Sequence, residues 1–411
     1  MKKFLALLLA LVMALSLFAC GKKENDTDKA KVKVGFITLH DENSTYDLNF
    51  INAAKAAIKN LGLTDADYIL KTNIPEGQEC YDTACDLAEN GCNIIFADSF
   101  GHEPFMIDAA KKYPDVQFCH STGTRAHTEK LPNYHNAFAS IYEGRYLAGI
   151  AAGMKLNEMI AAGQFTEKDA KIGYVGAFTY AEVISGYTSF YLGAKSVCPT
   201  VTMDVQFTGS WYDETGEKEA ANLLIGKGCK LISQHADSMG APNACETAKV
   251  PNVSYNGSTF EACPETFIVS SRINWAPYYK YLAEQIVNAK GDVNKANVAK
   301  DWTGTIATGS VELTAFGTAA TADTAAKVAD IKAKLMNGTL NVFDTATFTV
   351  NGTKLATYMA NVNFEDDGTG KDNNKADTQV IENGVFFESK HRSAPYFDVR
   401  IDGITLLNEK Y

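Results

Sequence analysis

The sequence predicts an α/β protein with two lobes, each built on a mostly parallel sheet flanked by helices. From Lys31 onwards, short apolar runs alternate with amphipathic stretches, which is typical of strands joined by helices in a parallel sheet. The runs VKVGFITL and CNIIFAD are apolar almost throughout, as expected of strands buried on both faces. The pattern pauses near 163–171 and then restarts, which indicates a second sheet and therefore a second lobe.

The first lobe is predicted to occupy residues 32–165. After its first strand, a helix begins at Ser44 or Thr45, both good N-cap residues, and ends near Gly62. A second helix begins at Pro104 and stops before the next proline. The other elements are the strands CNIIFAD and VQFCHST and the long helix IYEGRYLAGIAAGMKLNEMI, which carries small residues along one face.

The second lobe is predicted to comprise residues 166–273 and 306–411, with a segment of about 274–305 returning to the first lobe. Its elements follow in order as KIGYVGAF, EVISGYTSFYLGAKSV, VTMDVQF, EKEAANLLIGKG, CKLISQHAD and TFIVSSRI. The helix NWAPYYKYLAEQIVNAKG belongs to the returning segment, and SVELTAFG begins the last part. Within that part, EDDGTGKDNNKADTQ has almost no apolar side chain and is predicted to be a mobile loop.

The N-terminus has the features of a bacterial signal peptide. Residues 1–19 contain MKK followed by an apolar run, and the small residue Ala19 precedes Cys20. The ending LFAC resembles a lipobox, so we expect a lipid on Cys20 and a polar linker over 20–31 that holds the protein at the outer face of the cell membrane. An ordinary signal peptide cut elsewhere and a retained anchor helix are the alternatives. The run is shorter than the roughly 20 residues of a spanning helix.

The amino-acid composition indicates which class of ligand the protein binds. The net charge of −11 argues against nucleic acid polymers, which favour basic surfaces, so the ligand is expected to be small. Apolar residues make up 46% of the chain, enough for large cores. Eight cysteines follow Cys20. Export permits disulfides, but a chain of this length needs none, and several cysteines lie in strand-like apolar runs, which favours free buried thiols.

Motifs of enzymes are missing from the sequence. It contains no GxxxxGK[ST], no GxGxxG after a strand and no GxSxG elbow. The seven histidines are scattered, and none forms HExxH or another metal-binding spacing, so capping and solvated roles are favoured. The sequence therefore predicts no catalytic residue, no cofactor and no metal site.

Candidate ligand-binding residues follow the predicted strands, because ligands of open parallel sheets bind beyond the carboxyl ends of the strands. Aromatic faces stack on flat ligands, and carboxylates accept hydrogen bonds from N–H and O–H groups, as we expect for an ionised Asp237. Each residue also has a structural alternative: the Asp and Ser side chains can cap helices, the tryptophans can fill a core, and Glu182 can simply favour a helix dipole. The candidates are Asn43, Tyr46, Asp47, Ser99, Phe100, Gly101, Glu182, Trp211, Asp213, Asp237 and Trp275.

Several segments between about Lys31 and Phe316 resemble the basic membrane lipoprotein family, in the branch associated with purine nucleosides and bases. They are DSFGHEPFMIDAAKKYPDVQF, NAFASIYEGRYLAGIAAGM, KIGYVGAFTYAEVISGYTSFYLGAKSV, FTGSWYDETGEKEAANLLIGKGCKLISQHADS and INWAPYYKY. The resemblance implies a periplasmic-binding-protein fold of type I, with two lobes joined by three crossovers. It also implies that aromatic rings stack on the base and that carboxylates bind its polar edge or the sugar.

The resemblance places ligand contacts in the loop after the first strand, at Ser99–Gly101, at Glu182, at Trp211–Asp213, at Asp237 and at Asn274–Trp275. Two regions depart from the family: the first loop, HDENSTYDLNF, and a divergent extension after about Thr318.

The expected function is capture of purine nucleosides or bases by a monomeric substrate-binding lipoprotein. The protein would deliver its ligand to a membrane permease of an ABC importer that has a cytosolic ATPase. Ligand would favour the closed form because it contacts both lobes. An extracellular nucleoside hydrolase or a ligand sensor with the same fold is the alternative.

Overall fold

A computed structural model describes residues 32–60, 62–290, 292 and 295–409. The predicted signal peptide, lipidated Cys20 and linker therefore lie outside the described residues. In the described part of the chain, two large sheets form the two lobes, and helices cover both sheets. The predicted fold class is confirmed.

The first lobe is built on a six-stranded sheet whose neighbouring strands are all parallel. Its strands are β1 Val34–Ile37, β2 Tyr68–Lys71, β3 Ile94–Ala97, β4 Gln117–Ser121, β5 Tyr134–Ala139 and β11 Asp301–Gly304. They lie in the order β11–β5–β4–β3–β1–β2. The first, third and fourth strands are buried along their whole length, as their apolar runs predict.

The second lobe is built on a seven-stranded sheet. Its strands are β6 Lys171–Gly176, β7 Thr202–Phe207, β8 Leu231–His235, β9 Asn252–Tyr255, β10 Phe267–Ile273, β12 Val311–Leu313 and β17 Ile404–Leu406. They lie in the order β12–β10–β9–β8–β6–β7–β17, with β12 antiparallel to β10 and the other pairs parallel. Two short antiparallel pairs join β13 Met359–Ala360 to β14 Thr378–Gln379, and β15 Ile381–Glu382 to β16 Val385–Phe386.

Helices follow most strands of both sheets. They are α1 Thr45–Asn60, α2 Gln78–Glu89, α3 Glu103–Lys112, α4 Ala126–Glu129, α5 Ile141–Ala161, α6 Ala181–Val197, α7 Glu214–Gly226, α8 Gly240–Ala248, α9 Ala276–Asn288 and α10 Thr324–Met336. None of these described helices is both long enough and apolar enough to cross a lipid bilayer.

Helix α5 packs against the second lobe, although the sequence-based boundary near 165 groups it with the first. It contacts β10 and lies along α6 with the two backbones touching. A Cβ atom at Gly149 would lie 2.0 Å from the carbonyl oxygen of Phe190, and one at Gly193 would lie 2.1 Å from that of Tyr146. The chain therefore passes into the second lobe at the start of α5. The chain crosses back to the first lobe after β10, because β11 belongs to the first sheet. It returns to the second lobe after β11, because β12 belongs to the second sheet.

Residues 346–409, here called the C-terminal segment, contact both lobes. On the second lobe, β17 lies parallel to β7, and Arg400 Nη1 donates a hydrogen bond of 2.6 Å to Tyr187 Oη. On the first lobe, the backbone N–H and the Oγ of Ser393 both donate to Asp301 Oδ1 at 2.9 Å. The segment thus spans the gap between the lobes.

The eight cysteines in the described residues are buried free thiols. Burial raises the pKa of Cys119 to about 12, so its thiol stays protonated and unreactive at neutral pH. The prediction of mostly free thiols is confirmed.

Candidate functional site

A cavity of about 600 Å³ lies between the lobes. The loops that follow β1, β3, β6 and β8 line it. In both sheets the strand order reverses between these strands, at β1 and β3 in one and at β6 and β8 in the other. Such reversals open a crevice at the carboxyl ends of the strands, where α/β proteins bind ligands.

The two lobes touch at the rim of the cavity. The backbone N–H of Thr45 donates to the carbonyl oxygen of Asp237 at 3.1 Å. The rings of Phe100 and Tyr180 stack with their centroids 5.0 Å apart, and the His40 ring lies 5.6 Å from that of Tyr212. These contacts join residues of opposite lobes, so the structure shows the cleft closed.

Aromatic rings line one part of the cavity. Phe100 is 38% exposed and Tyr180 is 40% exposed, which is unusual for large aromatic side chains. Trp211 also lines the cavity and packs its indole edgewise on Phe178, with centroids 5.0 Å apart. These rings are available to stack on a flat ligand. The sequence predicts Phe100 and Trp211 as ligand contacts but not Tyr180.

Glu182 is held at the cavity by a buried hydrogen-bond network of the second lobe. Both carboxylate oxygens lie 2.8 Å from His235 Nε2, and Tyr255 Oη donates to Oε1 at 2.9 Å. Tyr174 Oη lies 3.2 Å from His235 Nδ1 and accepts a hydrogen bond of 3.1 Å from Arg145 Nη2. Glu182 therefore presents a fixed acceptor. The sequence analysis did not identify these four hydrogen-bonding partners, because they lie on four separate elements, β6, β8, β9 and α5, which only the fold brings together.

Asp237 lies at the cavity, and its surroundings disfavour the ionised form that the sequence analysis expects. Burial, together with the charges of Asp47 and Glu217, raises its pKa well above the usual range. Asn256 Nδ2 donates to its Oδ1 at 3.2 Å. These surroundings favour the protonated form of the side chain, which offers both a donor and an acceptor to a ligand.

Tyr46 and Asp47 of the first lobe both line the cavity. Tyr46 Oη donates to the carbonyl oxygen of Asp98 at 2.7 Å, which fixes its ring. Asp47 accepts hydrogen bonds from the backbone N–H of His40 at 2.8 Å and from Ser44 Oγ at 2.6 Å. Burial would raise the pKa of Asp47, but the His40 side chain, with Nδ1 3.5 Å from Oδ2, and these hydrogen bonds together outweigh it and hold the pKa below the usual value.

The Ser99–Gly101 turn lines the cavity but directs its polar groups to Glu76. The backbone N–H of Gly101 donates to Glu76 Oε1 at 2.8 Å, and Ser99 Oγ donates to the same oxygen. A Cβ atom at Gly101 would lie 2.6 Å from Glu76 Cδ, so a larger residue there would displace the Glu76 carboxylate. Glu76, which the sequence analysis did not identify, therefore holds this turn in place at the cavity.

Three predicted contacts lie away from the cavity. Asn43 is exposed and donates to Asp41 Oδ1 at 2.8 Å. Asp213 caps α7 by accepting a hydrogen bond of 2.9 Å from the backbone N–H of Gly216. Trp275 is 1% exposed in the first-lobe core. Asp213 and Trp275 thus take the structural roles given as alternatives, a helix cap and a core ring, because a residue after a strand can point into the core or along the next helix.

The C-terminal segment supplies cavity residues that the sequence did not reveal. Opposite them lies Arg125 of the first lobe, which also lines the cavity. The predicted mobile loop contributes here through an exposed turn in which Asp366 Oδ1 accepts hydrogen bonds from two backbone N–H groups at 2.8 Å. The lining residues of this segment are Asn361, Phe364, Gly370, Lys371, Asp372, Asn374, Arg392, Ala394, Pro395, Tyr396 and Asp398.

Glu388 of the C-terminal segment is a buried acid that makes stability depend on pH. It accepts a hydrogen bond from Ser185, and burial raises its pKa from 4.5 to about 8. The folded state therefore keeps a proton that the unfolded state releases above about pH 4.5. The stability contributed by that proton is present at low pH and is lost at about 1.4 kcal/mol per pH unit as pH rises towards 8.

We expect Glu388→Gln to remove this loss, because glutamine keeps a partner for Ser185 and does not ionise. Urea unfolding at about pH 7.0 and 8.0 is the measurement, a range above the usual pKa of histidine. The parent should lose more stability over this range than the variant. Glu382→Gln, at an exposed ion pair with Lys390, is the matched control. Equal losses in the parent and in Glu388→Gln would show that Glu388 is ionised in the folded protein.

Comparison with known proteins agrees with this architecture. A model of the Bmp family, described as ABC transporter substrate-binding protein PnrA-like, matches residues 36–345. The purine-binding protein BAB2_0673 of Brucella abortus is 30% identical over 76% of this chain and 83% of its own length. The nucleoside-binding protein BmpA of Lactococcus lactis is 25% identical over 62% of this chain and 71% of its own.

Solved structures show the same fold. A solute-binding protein from Aeropyrum pernix superposes with a TM-score of 0.62 and 16% identity, covering 75% of this chain and 92% of that one. One from Conexibacter woesei superposes with a TM-score of 0.59 and 20% identity, covering 75% and 98%. The family model extends across strands of both lobes and every cavity residue except those of the C-terminal segment, so the chain belongs to the Bmp family of ABC transporter substrate-binding proteins.

Proposed function

We propose that this protein captures purine nucleosides or purine bases in the cleft between its lobes. One observation carries the proposal: the closed cavity combines exposed aromatic rings with fixed hydrogen-bonding groups. Phe100, Tyr180 and Trp211 offer ring faces to a flat base. Glu182 and Asp237 offer acceptors, and the protonated form of Asp237, which burial favours, also offers a donor. The relatives named for purine and nucleoside binding support the same class of ligand.

The proposal extends to how the protein works in the cell. Lipidation of Cys20 would tether a monomer to the outer face of the membrane. The closed lobes would then present the ligand to a permease whose ATPase lies in the cytosol. A ligand that contacts both lobes favours the closed form, because it binds that form more tightly than the open one. Cys20→Ala tests the tether, since it should leave an unprocessed precursor or release the protein into the medium.

Asp237→Asn tests the polar part of the site. We expect about a fivefold loss of affinity for a ligand that donates to both carboxyl oxygens, since the substitution replaces one of these acceptors by an amide N–H, and a hydrogen bond contributes about 1 kcal/mol. Titration calorimetry with adenosine, guanosine, inosine and the free bases is the measurement. Asp213→Asn is the matched control, because asparagine caps a helix as well as aspartate and position 213 lies outside the cavity.

Parental affinity in Asp237→Asn for every ligand would remove Asp237 from the site. Failure of the parent to bind any of these compounds would refute the purine proposal itself. Chromatography of the nucleosides after incubation separates binding from hydrolysis, since a hydrolase would release free base. Mass spectrometry of the ligand that co-purifies with the protein then identifies which purine it carries.

A further inference from the structure

The C-terminal segment forms a side of the cavity that the family model does not include. That model ends at residue 345, and the segment begins at 346. Strand β17 and Arg400 fasten the segment to the second lobe, and Ser393 fastens it to Asp301 of the first. Earlier in the segment, Asn363 Oδ1 lies 3.2 Å from His127 Nε2 of the first lobe, and the neighbouring Asn361 and Phe364 line the same cavity as Glu182. This side of the cavity is therefore held in place relative to both lobes.

Asn361 has a fixed orientation and an acceptor that is not used. Its Nδ2 donates to Asp372 Oδ2 at 2.7 Å, and Asp372 is itself oriented by the backbone N–H of Asn374 at 3.1 Å. A carboxylate only accepts, so the amide nitrogen must face Asp372 and the amide oxygen must point away from it. In the described residues, Asn361 Oδ1 is buried and accepts no hydrogen bond. A buried acceptor of this kind is costly unless a ligand donor reaches it.

Arg125 of the first lobe provides the complementary group. Its guanidinium lies 4.3 Å from the ring centroid of Phe364 and forms an ion pair with Glu129. Its Nε–H is buried and donates to no acceptor among the described residues. Where the C-terminal segment meets the first lobe beside the cavity, the described residues therefore leave one unused acceptor and one unused donor next to an aromatic ring.

We propose that the C-terminal segment is a third wall of the ligand site. In this arrangement Asn361 Oδ1 accepts an N–H or O–H of the ligand, and Arg125 Nε donates to a ligand oxygen or ring nitrogen. The inference rests on the proposed function, because purine nucleosides carry both kinds of group on the base edge and on the ribose. A ligand lacking a donor at this position would leave Asn361 unpaired, so the wall selects for hydrogen-bonding edges as well as for flat shape.

Asn361→Ala tests the wall. We expect about a tenfold loss of affinity for the best-bound purine nucleoside, measured by titration calorimetry on the otherwise unchanged protein. Asn373→Ala is the matched control: Asn373 lies in the same loop, is exposed, and donates to Glu365 Oε2 at 3.1 Å without lining the cavity. Its affinity should stay within twofold of the parent.

Arg125→Lys is a second variant that does not depend on the folding of the loop. Lysine keeps a cation near Phe364 and Glu129 but has no Nε–H donor, so affinity should again fall by about tenfold. Parental affinity in both Asn361→Ala and Arg125→Lys would overturn the third wall and leave the proposed function standing. Absence of nucleoside binding by the parent would overturn the proposed function, and the wall with it.

Discussion

Trp275→Ala is expected to lower the free energy of unfolding by about 3–5 kcal/mol, the range measured for large aromatic side chains removed from cores. The indole is 1% exposed and stacks on Phe50 with ring centroids 4.5 Å apart. It also packs against Phe96 and Phe138, so alanine would leave a cavity among large rings. Urea unfolding followed by circular dichroism measures the loss. The folded fraction should bind ligand with parental affinity, because Trp275 does not line the cleft.

Trp275→Phe is the control for this prediction. It keeps a ring against Phe50, and the indole Nε1 is buried without a hydrogen-bond partner in the described residues, so no hydrogen bond is lost. Trp275→Phe should lower the free energy of unfolding clearly less than Trp275→Ala does. A large loss of affinity in Trp275→Ala without a loss of stability would contradict the core assignment.

Trp211→Ala should show the opposite behaviour, with a strong loss of affinity and little loss of stability. Trp211 is half-buried, lines the cavity and packs edgewise on Phe178. Stacking of an aromatic side chain on a base contributes about 1–3 kcal/mol, so affinity for a purine should fall by about tenfold to a hundredfold. Calorimetric titration and the unfolding midpoint of the same sample give both quantities.

Trp302→Ala is the matched control for Trp211→Ala. Trp302 is also half-buried, but it lies on β11 against Tyr278, with ring centroids 4.9 Å apart, and outside the cavity. Trp302→Ala should lower the free energy of unfolding and leave the affinity for purines unchanged. If Trp211→Ala binds purines as well as the parent does, the stacking role of Trp211 is wrong.

The two tryptophans show what the sequence could predict about the site. Both follow the end of a predicted strand, and the rule for parallel sheets places both near the cleft. Trp275, however, is the N-cap residue of α9, which packs on α1, and its ring turns into the first-lobe core. The loop that carries Trp211 stays at the cavity. The direction of each side chain depends on the tertiary packing of the next helix, which strand order does not specify.

Continuous apolar runs predicted the buried strands correctly because burial on both faces leaves a strong local pattern. Strand β17 was not predicted, since it has three residues and pairs with β7 about two hundred positions earlier in the chain. The cavity residues of the C-terminal segment could not be predicted for the same reason, because their partners lie far away in the sequence. Phe364 meets Arg125, and Asn363 meets His127, through contacts that span more than two hundred residues and follow no periodicity.

The contacts between the lobes at the rim have a consequence for rates. Three pairs meet directly across the cleft: Thr45 and Asp237, Phe100 and Tyr180, and His40 and Tyr212. Their attraction offsets part of the cost of closure, so less of the ligand's binding energy is needed to close the lobes. A bound ligand leaves only after these pairs separate. The residence time of the ligand is therefore governed by how often the lobes open, and weakening a rim pair should speed both uptake and release.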